Sequence, residues 1–304
     1  MDNVQTTTTE EQIMATRTIP APGRTAARAK PRAAAKPARS TQAAAPALAR
    51  PLSGEEMLQL VKLAKGSSSI ELKLSVPLAA QRSTIESIGL DPVETEPRMA
   101  FFFDTPDLAL NQAGVVVRAR RLPGGDADTV IKLRPVDPTT IDADLRRSGA
   151  FKVEVDVMPG GFVCSASFRG VCSGQEVLDV GSGALPLRKI FSKEQRAFYD
   201  EHAPAGVTMD RLVVIGPTFL LRGRHQPKDF DRPLTTELWL YPDGSRILEI
   251  STKCQPKETF QVGADFKTYL AARGIELGAA QAPKTKTSLS FFSAKLRREG
   301  TTVA

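Results

Sequence analysis

Several short segments of this chain alternate between apolar and polar residues. Residues 69–76 (SIELKLSV) are apolar at every even position and polar at every odd one, and residues 151–157 (FKVEVDV) carry Glu154 and Asp156 on their polar face. Alternation with a period of two is typical of a β-strand whose two faces meet different surroundings. Residues 219–224 (FLLRGR) predict a further strand, and residues 234–241 and 246–254, which flank the turn PDGS, predict a hairpin.

The pattern is strongest in residues 101–135, which predict two strands joined by a turn rich in Gly and Asp. Arg118 and Arg120 share one face of the first strand, and Lys132 and Arg134 share the corresponding face of the second. Four cations on one side of a hairpin repel each other. We therefore expect an anion to sit among them.

Helical segments are predicted around these strands. Ser53 is placed to cap a short helix within residues 51–65, and a capping-box pattern at Ser192 opens a helix that runs to about residue 202. Residues 78–89 and 257–273 predict two more helices, and Gly274 ends the second. The other residues after 158 show a less regular pattern, and residues 283–286 (PKTK) begin a last polar segment.

The positive charge of the chain belongs to its first segment. The net charge is +7, and residues 21–50 contain seven Lys and Arg and no acidic residue, so the rest of the chain is electrically balanced. Residues 1–50, rich in Ala, Pro, Arg and Lys, are expected to be a disordered tail, with Met14 as an alternative start. Weak contact with nucleic acid is one role for this tail. No aromatic residue is interleaved for base stacking, so a solvated tail is favoured.

The cysteines and histidines argue against a metal centre built from them. Cys164, Cys172 and Cys254 match no metal-ligand spacing, and His202 and His225 lie apart in the sequence. Free thiols indicate a reducing compartment. Because the chain has no apolar run of membrane length and no signal-peptide pattern, we expect a cytoplasmic protein without a membrane partner.

The polar faces of the predicted strands carry like charges two residues apart. These pairs are Arg118/Arg120, Lys132/Arg134, Glu154/Asp156 and Arg222/Arg224. A plain antiparallel sheet with its polar side in water is the ordinary explanation, but such a side would mix Ser, Thr, Gln and scattered charges. If the sheet closes into a barrel, the charged faces line its interior and helices cover the apolar outside. Such an interior suits a polyphosphate, because cations bind phosphate oxygens and carboxylates hold a bridging divalent metal.

An ordered set of motifs resembles the CYTH domains, the triphosphate tunnel metalloenzymes. The set is Ile70-Glu-Leu-Lys73, Phe103-Asp-Thr-Pro-Asp107, Arg118-x-Arg120, Lys132, Glu154-x-Asp156, Arg222-x-Arg224 and Glu249-x-x-x-Lys253. The family includes class IV adenylyl cyclases, thiamine triphosphatases, inorganic triphosphatases and related RNA triphosphatases. The resemblance covers residues 66–290 as one domain, with a C-terminal tail over residues 291–304. It implies an α+β, mainly antiparallel fold in which eight strands close into a tunnel with helices on its surface.

The resemblance also implies a set of ligands inside the tunnel. The cations that would bind the triphosphate are Lys73, Arg118, Arg120, Lys132, Arg222, Arg224, Lys253 and Lys284, with Lys286 as an alternative to Lys284. The carboxylates that would hold Mg²⁺ or Mn²⁺ are Glu71, Glu154, Asp156 and Glu249, with Glu237 less certain because Trp239 shares its face. Lys73 and Glu154 would be catalytic, in an in-line attack of water on the terminal phosphorus. The alternatives are a solvated face for the cations and charge balance for the carboxylates.

Two positions depart from the pattern of the family. Ser69 stands where the family motif Glu-x-Glu-x-Lys begins, and Ser251 stands where the late strand usually has a second Glu. We expect a metal-dependent hydrolase of inorganic triphosphate or of an organic or nucleoside triphosphate. Two alternatives stay open, a class IV-type adenylyl cyclase and a non-catalytic polyphosphate- or nucleotide-binding protein. Because serine replaces a carboxylate at both positions, the non-catalytic binding protein is the alternative that these departures favour.

Overall fold

The computed structural model describes residues 51–277, 281 and 283–298, and the strands in this part of the chain close into a barrel. They are β1 (Ser69–Val76), β2 (Glu96–Asp104), β3 (Val115–Arg121), β4 (Asp126–Leu133), β5 (Phe151–Met158), β6 (Gly161–Ser173), β7 (Val213–His225), β8 (Leu234–Leu240) and β9 (Arg246–Cys254). Their order is β1-β5-β6-β4-β3-β2-β7-β8-β9, and β9 pairs back to β1. The strand pairs are antiparallel, except that β1 and β5 are parallel. The predicted closed tunnel is confirmed, but it has nine strands instead of eight and is not fully antiparallel.

Two of these strands, β2 and β6, were not predicted from the alternation in the sequence. β6 (GFVCSASFRGVCS) is rich in small residues, so the contrast between its two faces is weak. β2 contains three consecutive phenylalanines, which are buried on both sides of the sheet. Phe101 and Phe103 join the core outside the barrel, while Phe102 faces its interior. A strand that is apolar on both faces loses the alternation by which a strand is recognised.

The structure contains the four helices that the sequence predicts and four more in the described residues. They are α1 (Gly54–Lys65), α2 (Gln81–Ile88), α3 (Ala109–Gln112), α4 (Ala143–Arg147), α5 (Gly174–Ser182), α6 (Lys193–His202), α7 (Thr259–Ala271) and α8 (Lys284–Arg298). Ser192 forms the predicted capping box of α6, and Ser53 caps α1 as predicted and forms a capping box with Glu56. The predicted boundary of the C-terminal tail at residue 291 falls inside α8. Residues 1–50 and 299–304, including the predicted disordered tail and Met14, lie outside the described residues.

The apolar face of the sheet lies outside the barrel, under the helices. Side chains of α1, α5, α6 and α7, such as Leu60, Val177, Phe198 and Phe266, pack in one core with the apolar face of the strands. Because the sheet is closed, the other face of each strand lines the interior. The charged faces identified in the sequence are therefore the lining of the barrel.

One end of the interior is apolar and is covered by α8. Phe102 and Trp239 belong to a second cluster, separate from the outer core, and Leu289 and Phe292 of α8 pack on it. The Tyr241 hydroxyl also donates a hydrogen bond of 3.2 Å to the backbone carbonyl at the start of α8. The charged part of the lining lies next to this apolar end.

Two further expectations concern the described residues. The three cysteines are free, as predicted. Among the helices in the described ranges, none combines the length and the apolar character that a membrane span requires.

Asp104 holds the connection between β2 and β3 and gives a test of the fold. Its buried carboxylate accepts hydrogen bonds from the backbone N–H groups of Thr105 (2.7 Å), Leu110 (2.9 Å) and Asn111 (3.0 Å). Each buried N–H left without a partner costs about 1–3 kcal/mol. We therefore expect Asp104→Ala to lower the free energy of unfolding by about 3 kcal/mol or more, measured by urea unfolding.

Asp104→Asn is the matched variant, because it keeps one acceptor oxygen. We expect it to lose clearly less stability than the alanine variant. Equal stability of the wild type and Asp104→Ala would show that the carboxylate does not hold this connection.

Candidate functional site

The register of the strands brings the charged residues of the interior side by side. Glu71 of β1 is paired with Asp156 of β5 on one side and with Lys253 of β9 on the other. Glu237 of β8 is paired with Glu249 of β9. Residues far apart in the sequence thus form one charged belt around the inside of the barrel.

Lys73 lies at the centre of this belt and contacts two carboxylates. Its Nζ is 3.1 Å from Glu71 Oε2 and 3.2 Å from Asp156 Oδ1. Burial lowers the pKa of Lys73, but Glu71 and Asp156 outweigh burial, so the pKa lies above its usual value. Burial raises the pKa of Asp156, and Lys73 and Lys132 lower it further than burial raises it. Both side chains therefore stay charged.

Lys253 makes a similar bridge at the edge of the belt. Its Nζ is 2.7 Å from Glu154 Oε1 and 3.9 Å from Glu71 Oε2. The hydroxyl of Ser69 donates to the same oxygen of Glu154 at 3.1 Å, and Arg169 Nη2 donates to the other oxygen at 3.2 Å. Burial raises the pKa of Glu154, but Lys253 and Arg169 lower it below its usual value. A carboxylate with this low proton affinity is a poor general base.

Lys284 reaches the belt from α8. Its Nζ contacts Glu249 Oε1 at 2.7 Å and also Glu237 Oε2. Burial lowers the pKa of Lys284, but the two carboxylates raise it above its usual value. Trp239 Nε1 donates to the same Glu237 oxygen at 3.1 Å. The structure thus places Lys284 inside the barrel, whereas Lys286 is exposed.

Arg118 and Arg120 differ in how well their charges are balanced. Arg120 donates to Asp128 through Nη2 at 2.6 Å and through Nε at 3.2 Å. Arg118 is 3.9 Å from Asp128, and its buried Nε has no hydrogen-bond partner. Burial and the neighbouring Arg120 lower the pKa of Arg118 to about 10. The guanidinium stays protonated at neutral pH, so the low pKa indicates a poorly compensated charge.

Lys132 and Arg222 are also poorly compensated. The Nζ of Lys132 is 4.0 Å from Asp156 Oδ2, an oxygen that Arg134 already contacts at 2.8 Å. Burial lowers the pKa of Lys132 to about 8, and Asp156 opposes this only in part. Arg222 is 3.9 Å from Glu96, and burial together with Arg98 lowers its pKa. These cations have capacity for an anion that the described residues do not supply.

The predicted metal ligands are engaged by cations. In the described ranges, no group of three or more His, Cys, Asp and Glu side chains could hold a metal ion. Glu71, Glu154, Asp156 and Glu249 each contact at least one Lys or Arg. As they stand, these four carboxylates do not fit a bound Mg²⁺ or Mn²⁺. Mg²⁺ or Mn²⁺ stays a prediction from the sequence.

The predicted residues come together, with one exception. Arg224 is exposed, in contrast to Arg222 two residues earlier on β7. The sequence missed Asp128, Arg98 and Arg169, of which the last two lie on β2 and β6, the strands that were not recognised. Asp128 could have been found, because it stands four residues before Lys132 on the same face of β4.

Comparisons with known proteins give matches only at the level of structure. No family model matches this sequence, and no curated protein matches it. One similar structure is HpAC1 from Hippeastrum, a proposed adenylyl cyclase that is described as having a dominant triphosphatase activity. Its TM-score is 0.54 and its sequence identity is 17%, and the match covers 77% of this chain and 97% of that chain. A proposed adenylate cyclase from Bacillus halodurans is similar with a TM-score of 0.53 and 15% identity over 73% of this chain and 97% of that chain.

These similarities agree with the motifs in the sequence. The barrel is closed, its charged faces point inward, and both neighbours match this chain over nearly their whole length. The identities are low, so the likeness concerns the fold. The chain has the tunnel fold of the CYTH domains, the family that its motifs resemble.

Proposed function

We propose that this protein binds the triphosphate group of a small molecule inside the barrel. The observation that carries the proposal is the set of inward cations whose charges the chain leaves poorly compensated: Arg118, Lys132 and Arg222. Burying a cation without a close partner is unfavourable, and a bound anion removes this penalty. Guanidinium and ammonium groups bind phosphate oxygens through strong, charge-assisted hydrogen bonds.

The spread of these cations favours a chain of phosphates over a single one. Arg118 lies on β3 and Lys132 on β4, while Arg222 lies on β7, which β2 separates from β3. Neighbouring strands are about 4.8 Å apart, so the three cations arise from a wide arc of the barrel wall. A triphosphate lying along the interior contacts several strands at once.

Hydrolysis of the bound triphosphate is the second candidate function. The observation in its favour is the fold shared with HpAC1, which is described as having a dominant triphosphatase activity. Lys73 is placed to stabilise negative charge that develops on phosphate oxygens. The class IV cyclase alternative is supported by the names of the two neighbours alone.

Charge-removing substitutions test the binding proposal. We expect Lys132→Met and Arg118→Gln each to weaken binding of inorganic triphosphate at least tenfold, because a charge-assisted contact is worth about 1.5–3 kcal/mol. Burial disfavours the charged form of Lys132, so Lys132→Met should not lower the melting temperature. Isothermal titration calorimetry and thermal unfolding measure the two effects.

Arg82→Ala is the control for net charge, because Arg82 lies on α2 with its side chain 91% exposed. We expect it to bind triphosphate like the wild type. Equal weakening by the control and by Lys132→Met would point to a general effect of charge and would refute the assigned contact.

The hydrolysis candidate predicts a different response at Glu154. With Mg²⁺ or Mn²⁺ present, we expect phosphate release from inorganic triphosphate, ATP or thiamine triphosphate. Glu154→Gln should lower the turnover more than the affinity, because it keeps the shape but removes a charge next to Lys253. The exposed Glu86→Gln on α2 should leave both unchanged.

Three outcomes separate the functions. Binding of triphosphate without phosphate release would support a non-catalytic binding protein. Formation of cyclic AMP from ATP would support the cyclase. Full turnover in Glu154→Gln would remove this residue from the chemistry.

A further inference from the structure

We propose that the tunnel binds its triphosphate without a divalent cation, because lysine ammonium groups occupy the positions between its carboxylates. This inference rests on the proposed function, since it concerns how the same site binds the same ligand. It differs from the expectation drawn from the sequence, in which carboxylates hold Mg²⁺ or Mn²⁺.

Both oxygens of Glu71 are already bound. Oε1 accepts a hydrogen bond of 3.1 Å from the Ser251 hydroxyl, and Oε2 is 3.1 Å from Lys73 Nζ. The side chain at position 251 therefore donates to the carboxylate, whereas a second carboxylate would have joined it in holding a metal ion.

The oxygens of Glu154 and Asp156 are occupied in the same way. Glu154 Oε1 accepts from Lys253 and Ser69, and its Oε2 accepts from Arg169. Asp156 Oδ1 contacts Lys73 at 3.2 Å, and Oδ2 accepts from Arg134 at 2.8 Å. A divalent cation would have to displace donors from every one of these oxygens.

Three ammonium groups each bridge two carboxylates from different strands. Lys73 bridges Glu71 and Asp156, and Lys253 bridges Glu71 and Glu154. Lys284 on α8 is the third of these groups, and it bridges Glu237 and Glu249. Bridging carboxylates of neighbouring strands is what a divalent ion would otherwise do.

The charges disfavour an additional metal ion. Lys73 Nζ lies within 3.2 Å of both Glu71 and Asp156, and Lys284 Nζ contacts both Glu237 and Glu249. A divalent ion placed beside such an ammonium group meets repulsion that the low-dielectric interior screens poorly. The remaining cations, Arg118, Lys132 and Arg222, face a ligand whose negative charge is highest when it carries no metal.

Calorimetric titration of the full chain with sodium triphosphate tests the inference. One titration contains EDTA and the other contains excess MgCl₂, at equal ionic strength. We expect binding in EDTA, with an affinity at least as high as in Mg²⁺, because Mg²⁺ neutralises part of the ligand. Binding only in Mg²⁺ would overturn the inference and leave the proposed function standing. Absence of binding in both buffers would overturn the proposed function itself.

Lys253→Met tests the role of the bridging ammonium. Lys253 is half exposed, so its loss should not prevent folding, and circular dichroism verifies this. The substitution removes one donor from Glu71 Oε2 and one from Glu154 Oε1 and takes away the positive charge between them, so we expect Mg²⁺ to tighten triphosphate binding at least threefold relative to EDTA in this variant alone. Arg82→Ala should show the wild-type ratio. A wild-type ratio in Lys253→Met would refute the assignment of a metal-replacing role to this lysine.

Discussion

The structure depends on ion pairs inside a closed sheet. Because the apolar face of the barrel is turned outward under the helices, every strand directs its polar face inward, where carboxylates such as Glu154 and Asp156 are buried. Buried charges are costly unless they are paired. Lys73 shows how this is met, since one ammonium group satisfies carboxylates on β1 and β5 at the same time. The one parallel pair in the barrel brings these carboxylates together.

The cations of the interior fall into two groups with different roles. Lys73, Lys253 and Lys284 are matched by carboxylates and stabilise the barrel. Arg118 Nη2 is 3.9 Å from Asp128 Oδ1, and Lys132 Nζ is 4.0 Å from Asp156 Oδ2, which is about one ångström longer than a close ion pair. Burial lowers the pKa values of both side chains. The first group holds neighbouring strands together, and the second group is available to bind a ligand. This division explains how one lining supports both folding and anion binding.

Much of this arrangement follows from the sequence, because period-two alternation is a local signal. Residues 69–76 and the hairpin around Arg118 show which side chains share a face, and closure of the sheet turns that face inward. The sequence does not show which charges pair, since Glu154 meets Lys253 only after β1 has been inserted between β5 and β9. Arg169 was missed for a local reason, because the small residues around it on β6 hide the alternation.

The position of Lys284 has a consequence for the pairing of β8 with β9. Glu237 and Glu249 stand directly opposite each other on β8 and β9, and like charges in this position repel. Their counter-ion comes from α8, which follows every strand of the barrel in the sequence. Without α8 the two carboxylates would face each other without this ammonium group, so the lysine of α8 removes the repulsion between β8 and β9. The apolar side chains of α8 and its lysine thus act together on the same end of the barrel.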